Sequence, residues 1–134
     1  MSTPQQTVMF VCPHGATKSR LAAAWFDGAA PPGWRATNAG ITPQEGVSEH
    51  ARRLLAGTTV AHLLDDAPPR PVSAVPDPDV IVAIDCPTGD VEPAAVHWQL
   101  HNNGFDEAMR DELRARAEEL ARHLASSAAD PTSP

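Results

Sequence analysis

The sequence predicts an α/β protein, a three-layer sandwich built around a small parallel sheet. Short apolar runs alternate along the chain with segments whose apolar residues recur at helical spacing, the pattern of repeated βαβ units. The run Val80–Ile84 is apolar throughout, as in strands that a parallel sheet buries on both faces. With 134 residues, 42% of them hydrophobic, the chain can bury a core without a metal or a disulfide. We expect one domain over residues 1–127 and a disordered tail over residues 128–134.

Local signals set the ends of the predicted elements. Gly28 and Gly57 end the first two helices, and Thr42–Glu45 reads as a capping box that opens the second helix. The segment 65–78 contains five prolines, which predict an extended surface connection with at most one helical turn. In chain order the predicted elements are strand Thr7–Cys12, helix Thr17–Asp27, strand Trp34–Ala39, helix Thr42–Ala56, strand Val80–Ile84, strand Ala95–Trp98 and helix Gly104–Ser126.

The charge of the chain excludes several classes of partner. A net charge of −7 and a pI near 5.2 predict no nucleic-acid and no anionic-membrane partner, because both require a concentrated basic face. No apolar stretch reaches the roughly 18 residues of a membrane span, and the first six residues lack the features of a secretion signal. We therefore expect a cytoplasmic protein with two thiols that are reactive or structural, and with no metal and no cofactor.

The most informative segment joins the first strand to the first helix. Cys12 closes the strand, and a short loop leads to Lys18, Ser19 and the helix. Backbone N–H groups of such a loop can turn inward around a tetrahedral anion, and the positive end of the helix dipole points at the same place. The same field favours a thiolate, which makes Cys12 a candidate nucleophile. The residues expected to bind the oxyanion are Pro13, His14, Gly15, Ala16 and Thr17.

This loop resembles that of the low-molecular-weight protein tyrosine phosphatases and of the thioredoxin- or mycothiol-coupled arsenate reductases that share their fold. The family signature is a cysteine, five residues and then Arg-Ser; here the frame is Cys12, five residues and Lys18-Ser19. The resemblance covers residues 7–125 and includes, in order, Thr37–Gly40, Asp79–Ile84, His97-Trp98 and a long final helix. It implies a four-stranded sheet in the order 2-1-3-4 and a Ser19 hydroxyl that steadies the cysteine thiolate. The implied activity is cleavage of phosphomonoesters, phosphotyrosine among them, through a thiophosphate intermediate.

Lys18 departs from the family arginine. It is the only lysine in the chain, beside nine arginines. An ammonium contacts phosphoryl oxygens less directionally than a guanidinium does, so we expect anion binding to persist and transition-state positioning to weaken. Pro13 and His14 also differ from the usual loop residues. Gly15 stands where the phosphatases often have asparagine, and a glycine suits a position that needs a positive φ.

The general acid of the family is also missing. The phosphatases place an Asp-Pro pair shortly after the fourth strand, but residues 99–104 contain neither aspartate nor proline. His101 is the nearest titratable residue, and a histidine can donate a proton near neutral pH. We therefore expect His101 to protonate the leaving oxygen.

Cys86 keeps other functions open. Arsenate reductases of the family carry resolving cysteines in the loop after the third strand, where Cys86 lies. The chain could therefore be an arsenate reductase that uses Cys12, Cys86 and an external thiol reductant, or a phosphatase that a Cys12–Cys86 disulfide switches off. The missing Asp-Pro pair favours a third function, binding of an oxyanion without turnover. All of these functions use a phosphate- or arsenate-type oxyanion in the same loop.

Overall fold

The four strands of the protein form one parallel sheet in the order β2-β1-β3-β4. A computed structural model describes residues 6–43, 46, 48–75, 77–86, 96–102 and 104–129. The elements are β1 Gln6–Cys12, α1 Lys18–Ala29, β2 Trp34–Gly40, α2 Glu49–Leu55, β3 Val80–Ile84, β4 Val96–Trp98 and α3 Glu107–Ala129, with 3-10 turns at Ala61–Leu63 and Val72–Ala74. The predicted α/β class and the sheet order 2-1-3-4 are confirmed.

The side chains of β1 alternate between two apolar layers. Phe10 and Cys12 face the larger layer, which α1 and α3 cover. Met9 and Val11 face the smaller layer, which the 3-10 segment around Val72 covers. Because both faces of β1 are buried, the strand runs through the middle of the molecule and delivers Cys12 to the carboxyl edge of the sheet, where α/β proteins bind ligands.

Helix α1 is buried along most of its length and extends beyond its predicted end. The prediction that Gly28 ends the helix is wrong, since α1 continues to Ala29. A Cβ atom at Gly28 would lie 2.6 Å from Val60 Cγ1, so this glycine permits close packing rather than a helix stop. Pro31 and Pro32 follow directly and prevent further helix.

Helix α2 is shorter than predicted. It begins at Glu49, and the Ser48 hydroxyl accepts the N–H of His50 at 3.0 Å as the N-cap. Thr42 is not the cap, because its N–H donates to the carbonyl of Pro13 at 2.8 Å and fixes the segment after β2 to the loop after β1. Glu45, the other member of the predicted capping box, lies outside the described residues.

Helix α3 is displaced by three residues from its prediction. It begins at Glu107 and continues to Ala129, so residues 128 and 129 are helical rather than part of a tail, and residues 130–134 lie outside the described part. Met109 and Leu113 of α3 are buried, whereas Phe105, which the prediction placed in the helix, precedes it and is 46% exposed. Between residues 65 and 78 the described chain makes one 3-10 turn, as predicted. None of the described helices is long and apolar enough to cross a membrane.

Candidate active site

Cys12 lies in a cavity of about 320 Å³ at the carboxyl end of β1. The thiol is buried, and its Sγ lies 3.2 Å from Ser19 Oγ, so the hydroxyl is placed to donate a hydrogen bond to a thiolate. The predicted loop therefore forms one side of a cavity that α2 and the segment before α3 complete. The lining residues are Cys12, Pro13, His14, Ala16, Thr17, Lys18, Ser48, His50 and Phe105.

The carbonyl groups of the loop accept hydrogen bonds from neighbouring segments of the chain. The bonds run from Thr42 N to Pro13 O (2.8 Å), from Ser48 N to Ala16 O (3.3 Å) and from Arg20 Nε to Gly15 O (2.8 Å). In a trans peptide the C=O and the following N–H point in opposite directions, so these bonds turn the N–H groups of His14, Ala16 and Thr17 the other way. Within the described part of the chain those N–H groups donate to no other group, and no side chain caps α1. They lie at the N-terminus of α1, where such N–H groups can bind an anion.

Two glycines allow the loop to pack on the end of β2. Gly15 has φ +66°, and a Cβ atom there would lie 2.9 Å from Gly40 N. A Cβ atom at Gly40 would lie 2.6 Å from both Gly15 N and the carbonyl carbon of His14. Gly15 thus has the positive φ that its sequence position suggested, and the closing glycine of Thr37–Gly40 has a role in shaping the loop.

Lys18 reaches the cavity but is paired with Asp85, a residue that the sequence analysis did not select. Its Nζ lies 2.6 Å from Asp85 Oδ2, and the two side chains are 14% and 18% exposed. The other carboxylate oxygen accepts the N–H of Leu100 at 2.9 Å, and Asp85 has φ +53°, which is uncommon outside glycine. An anion bound in the loop would therefore compete with Asp85 for the Lys18 ammonium. The position of Asp85 could have indicated it, because Asp85 directly follows β3 and therefore lies at the same edge of the sheet as Cys12.

A buried polar network lies beneath the loop. Arg20 is 0% exposed, and its Nη1 donates to the carbonyl of Asp65. The Asp65 carboxylate accepts from Arg70 Nη2 at 3.0 Å and from Asn38 Nδ2 at 3.1 Å, and Arg70 Nη1 donates to Asn38 O at 2.8 Å. Burial acts to raise the pKa of Asp65, but hydrogen bonds from Ala67 N–H, Arg70 and Asn38 outweigh it and lower the pKa.

One wall of the cavity is a stacked pair of rings. His50 and Phe105 lie parallel within 12°, with centroids 4.8 Å apart. Arg53 Nη2 holds the pair by donating to Phe105 O at 2.8 Å and to His50 Nδ1 at 3.0 Å. Because an arginine can only donate, His50 Nδ1 accepts and the ring proton lies on Nε2. This wall could not be seen in the sequence, where Phe105 falls inside the predicted helix Gly104–Ser126.

His101 does not join the residues of the cavity. It is exposed, and its backbone N–H donates to both carboxylate oxygens of Glu112 at 3.0 Å. Burial acts to raise the pKa of Glu112, but hydrogen bonds from His101, Asn102 and Arg116 lower it to about 2. Glu112 therefore fixes the segment after β4 to α3.

Cys86 is also separated from Cys12. Its Sγ lies 3.5 Å from the carbonyl oxygen of Val11 and packs on the smaller apolar layer, with Met9 and Val11. Cys12 belongs to the larger layer on the opposite face of the sheet. The two thiols therefore do not face one another.

A buried cysteine lies at the junction of a parallel strand and a helix, next to the N–H groups of the connecting loop, an arrangement in which a cysteine can act as a nucleophile towards a bound oxyanion. No protein-family model matches the sequence, and none of the curated proteins does. Among solved structures, the arsenate reductase from Archaeoglobus fulgidus is 33% identical, with a TM-score of 0.63; the match covers 87% of this chain and 97% of that one. The chain therefore belongs to the family of arsenate reductases and low-molecular-weight protein tyrosine phosphatases, as its loop suggested, and the solved relatives are enzymes.

Two further structures share the fold at lower identity. The thioredoxin-dependent arsenate reductase of Corynebacterium glutamicum is 22% identical with a TM-score of 0.75, over 95% of this chain, but the chain spans 65% of the length of that protein. The low-molecular-weight protein tyrosine phosphatase of T. tengcongensis is 18% identical with a TM-score of 0.62, over 92% of this chain and 99% of that one. Both activities of the family thus occur on this fold.

Proposed function

We propose that this protein is a cysteine-dependent phosphatase that cleaves phosphomonoesters, and aryl esters such as phosphotyrosine in preference to alkyl esters. The observation that carries the proposal is the shared cavity of the Cys12 loop and the stacked rings of His50 and Phe105. Inward amides suit a phosphoryl group, and a flat ring surface suits the aryl group attached to it. One cavity therefore offers a surface for each half of an aryl phosphate, which supports this substrate class.

The chemistry follows two displacements at phosphorus. The Cys12 thiolate attacks the phosphoryl group, an S–P bond forms, and the ester P–O bond breaks with its electron pair on the leaving oxygen, which takes a proton. The N–H groups of His14, Ala16 and Thr17 hold the non-bridging oxygens, whose charge increases in the transition state. Water then attacks phosphorus, the S–P bond breaks, and inorganic phosphate leaves with the thiolate restored.

We assign the proton transfer to His50 rather than to His101. His50 lines the cavity, whereas His101 lies outside it. The proton is donated from Nε2 of the His50 imidazolium, which forms when Nδ1 gives up its contact with Arg53 and takes a proton from water. General acid catalysis contributes about 10²–10⁴-fold, and least where the leaving group is acidic enough to depart unprotonated. An enzyme without the family's carboxylic acid should therefore prefer acidic leaving groups, in agreement with the aryl preference.

Hydrolysis of an aryl phosphate and of an alkyl phosphate by the purified protein tests the proposal. We expect a higher kcat/KM for the aryl ester and loss of both activities in Cys12→Ser. Cleavage that survives in Cys12→Ser, or an alkyl ester cleaved faster than the aryl ester, would contradict the assigned nucleophile or the assigned substrate class.

Arsenate reduction is the second candidate, because the relative at 33% identity is an arsenate reductase and Cys86 follows β3. Cys12 would displace water from arsenate; Cys86 would then attack the Cys12 sulfur, forming a disulfide as two electrons pass to arsenic and arsenite leaves. A dithiol reductant would reopen that disulfide. Because the two thiols lie on opposite faces of the sheet, this relay requires the Cys86 loop to move. Repeated arsenite release that Cys86→Ser stops would favour this function, and phosphate binding without either activity would favour a non-catalytic protein.

A further inference from the structure

Arg20 lies directly beneath the oxyanion loop and is the largest fully buried side chain of the described residues. Its Nε donates to the carbonyl of Gly15 at 2.8 Å, and its Nη1 donates to the carbonyl of Asp65. Its Nη2 is buried and has no partner within the described part of the chain. Burying a guanidinium with an unpaired nitrogen costs free energy that an apolar side chain of similar size does not. Packing alone therefore does not explain an arginine at this position.

We propose that Arg20 is the positioning residue of the oxyanion site, which fixes the loop amides and supplies the buried positive charge that favours the Cys12 thiolate. This inference rests on the proposed function only in taking Cys12 as the nucleophile. The family signature has an arginine where this chain has Lys18. In this chain Arg20 would supply part of the positive charge that such an arginine provides. The charge that Lys18 offers is already shared with Asp85.

The hydrogen bond from Arg20 to Gly15 fixes the direction of a loop amide. By holding the Gly15 carbonyl below the loop, the Arg20 guanidinium turns the next N–H, that of Ala16, towards the opposite side, where the cavity lies. Gly15 is also pressed against the end of β2, so the peptide between these two contacts has little freedom to rotate. Without the guanidinium the Gly15 carbonyl has no donor and can turn into the anion site.

The charges around Arg20 do not cancel. Arg20 and Arg70 share one carboxylate, Asp65, and the adjacent Asp66 is paired with Arg52, so these three arginines and two aspartates carry one net positive charge. Arg20 is the more buried of the two cations, and interactions between charges are stronger where water is excluded. Burial lowers the pKa of Arg20, while attraction to Asp65 acts in the opposite direction. Arg20 is bonded to Gly15 of the loop and directly follows Ser19, whose hydroxyl lies 3.2 Å from the Cys12 sulfur, so its charge lies near the thiol.

Other charged and titratable groups contribute to the potential at the thiol, and two of them, Asp65 and Arg70, serve as controls in the test below. They come from the loop, from α2, from the end of β3 and from the segment after α2, and they are His14, Lys18, His50, Asp85, Asp65 and Arg70. Only Arg20 combines full burial with a hydrogen bond to the loop. A substitution of Arg20 should therefore affect Cys12 more than a substitution of Arg70, which has the same charge and shares Asp65 but does not contact the loop.

Alkylation of Cys12 measured by mass spectrometry over a pH series, with and without inorganic phosphate, tests the proposal in the full chain. In Arg20→Met we expect the midpoint of the alkylation profile to move upward by about one pH unit, a roughly tenfold smaller thiolate fraction below both midpoints, and protection by phosphate to weaken at least about tenfold. The matched control Arg70→Met should move both readouts by less than about threefold. Asp65→Asn removes the negative charge and should move the midpoint downward, the opposite direction.

The opposite signs keep the test decisive if one variant fails to fold. A profile of Arg20→Met that equals the wild-type profile overturns the proposal, as does an Arg70→Met effect of equal size, or an upward shift in Asp65→Asn. The readout does not need turnover, so the two proposals fail separately. If no phosphoester is cleaved but these shifts occur, the proposed function fails and the role of Arg20 stands. If esters are cleaved but Arg20→Met changes neither readout, the proposed function stands and the role of Arg20 fails.

Discussion

The two cysteines of this protein follow neighbouring strands of one parallel sheet, yet their surroundings differ in almost every respect. Cys12 is followed by a loop with inward amides, and its sulfur lies 3.2 Å from the Ser19 hydroxyl at the start of α1. Cys86 follows a carboxylate, Asp85, and its sulfur packs on the smaller apolar layer near a carbonyl oxygen. A helix N-terminus and hydroxyl donors favour a thiolate, whereas an adjacent carboxylate and apolar contacts favour a neutral thiol. The comparison shows that the backbone and charges around a cysteine, rather than its place after a strand, prepare it for nucleophilic chemistry.

The largest expected effect separates the two thiols. Cys12→Ser should lower aryl phosphate hydrolysis by at least about 10³-fold, since no other group can form the covalent intermediate. Cys86→Ser should leave kcat/KM within about twofold, because its thiol does not reach the cavity. Steady-state kinetics under reducing conditions make the measurement. Equal losses of activity in the two variants would contradict the different roles of the two cysteines and would favour the arsenate reductase function, in which both thiols react.

The next effect concerns the wall above Cys12. His50→Ala should lower kcat by about 10²-fold for esters with weakly acidic leaving groups and much less for esters with acidic ones, since only the former need a proton donor. The measurement is kcat against leaving-group acidity in a series of phosphomonoesters. His101→Ala is the matched control, and its slope should equal that of the wild type. If His101→Ala changes the dependence of kcat on leaving-group acidity and His50→Ala does not, the general acid is His101 rather than His50.

A smaller effect sharpens the role of the charge beside Cys12. Lys18→Arg should raise aryl phosphate turnover by about tenfold and tighten phosphate binding less, because a guanidinium can contact Asp85 and still present a second edge to the transition state. Turnover and phosphate inhibition are measured on the same preparations. A change confined to phosphate binding would show that Lys18 acts on the ground state alone.

The smallest effect lies away from both cysteines and concerns stability. Glu112→Gln should lower the free energy of unfolding at pH 7 by about 1–3 kcal/mol, because Glu112 accepts bonds from His101, Asn102 and Arg116. Its pKa is lowered from 4.5 to about 2, so its stabilisation is complete above pH 4.5 and is lost as the pH falls towards 2. Denaturant unfolding at several pH values should show that the two proteins converge in acid. A difference that stays constant down to pH 2 would contradict this origin.

Structural features that depend on neighbouring residues could be predicted from the sequence. Features that depend on contacts between distant segments could not. The strand Val80–Ile84 was predicted with its observed bounds because a continuous apolar run is a local signal. The loop after Cys12 has a signature within eight residues. The start of α2 was missed because Ser48 caps the helix while Thr42 bonds to the preceding loop, a contact between two segments.

The network beneath the loop shows this limit most clearly. Arg20, Asn38, Asp65 and Arg70 come from α1, β2 and the connection after α2, and nothing in the spacing of these residues places them together. The signal in the sequence was a charged residue inside the apolar and small residues of α1, and an asparagine near the end of a buried strand. Buried polar residues in such positions need partners, but the sequence does not name them.

The central claim is that the Cys12 loop is an oxyanion site with a reactive thiol, and a crystal structure with vanadate tests it most directly. Vanadate takes up the geometry of a phosphoryl group in transfer and can bond to a thiolate. We expect vanadium bonded to Cys12 Sγ, with its oxygens accepting hydrogen bonds from the N–H groups of His14, Ala16 and Thr17. Vanadate bonded to Cys86, or bound outside the loop while Cys12 stays unmodified, would contradict the account.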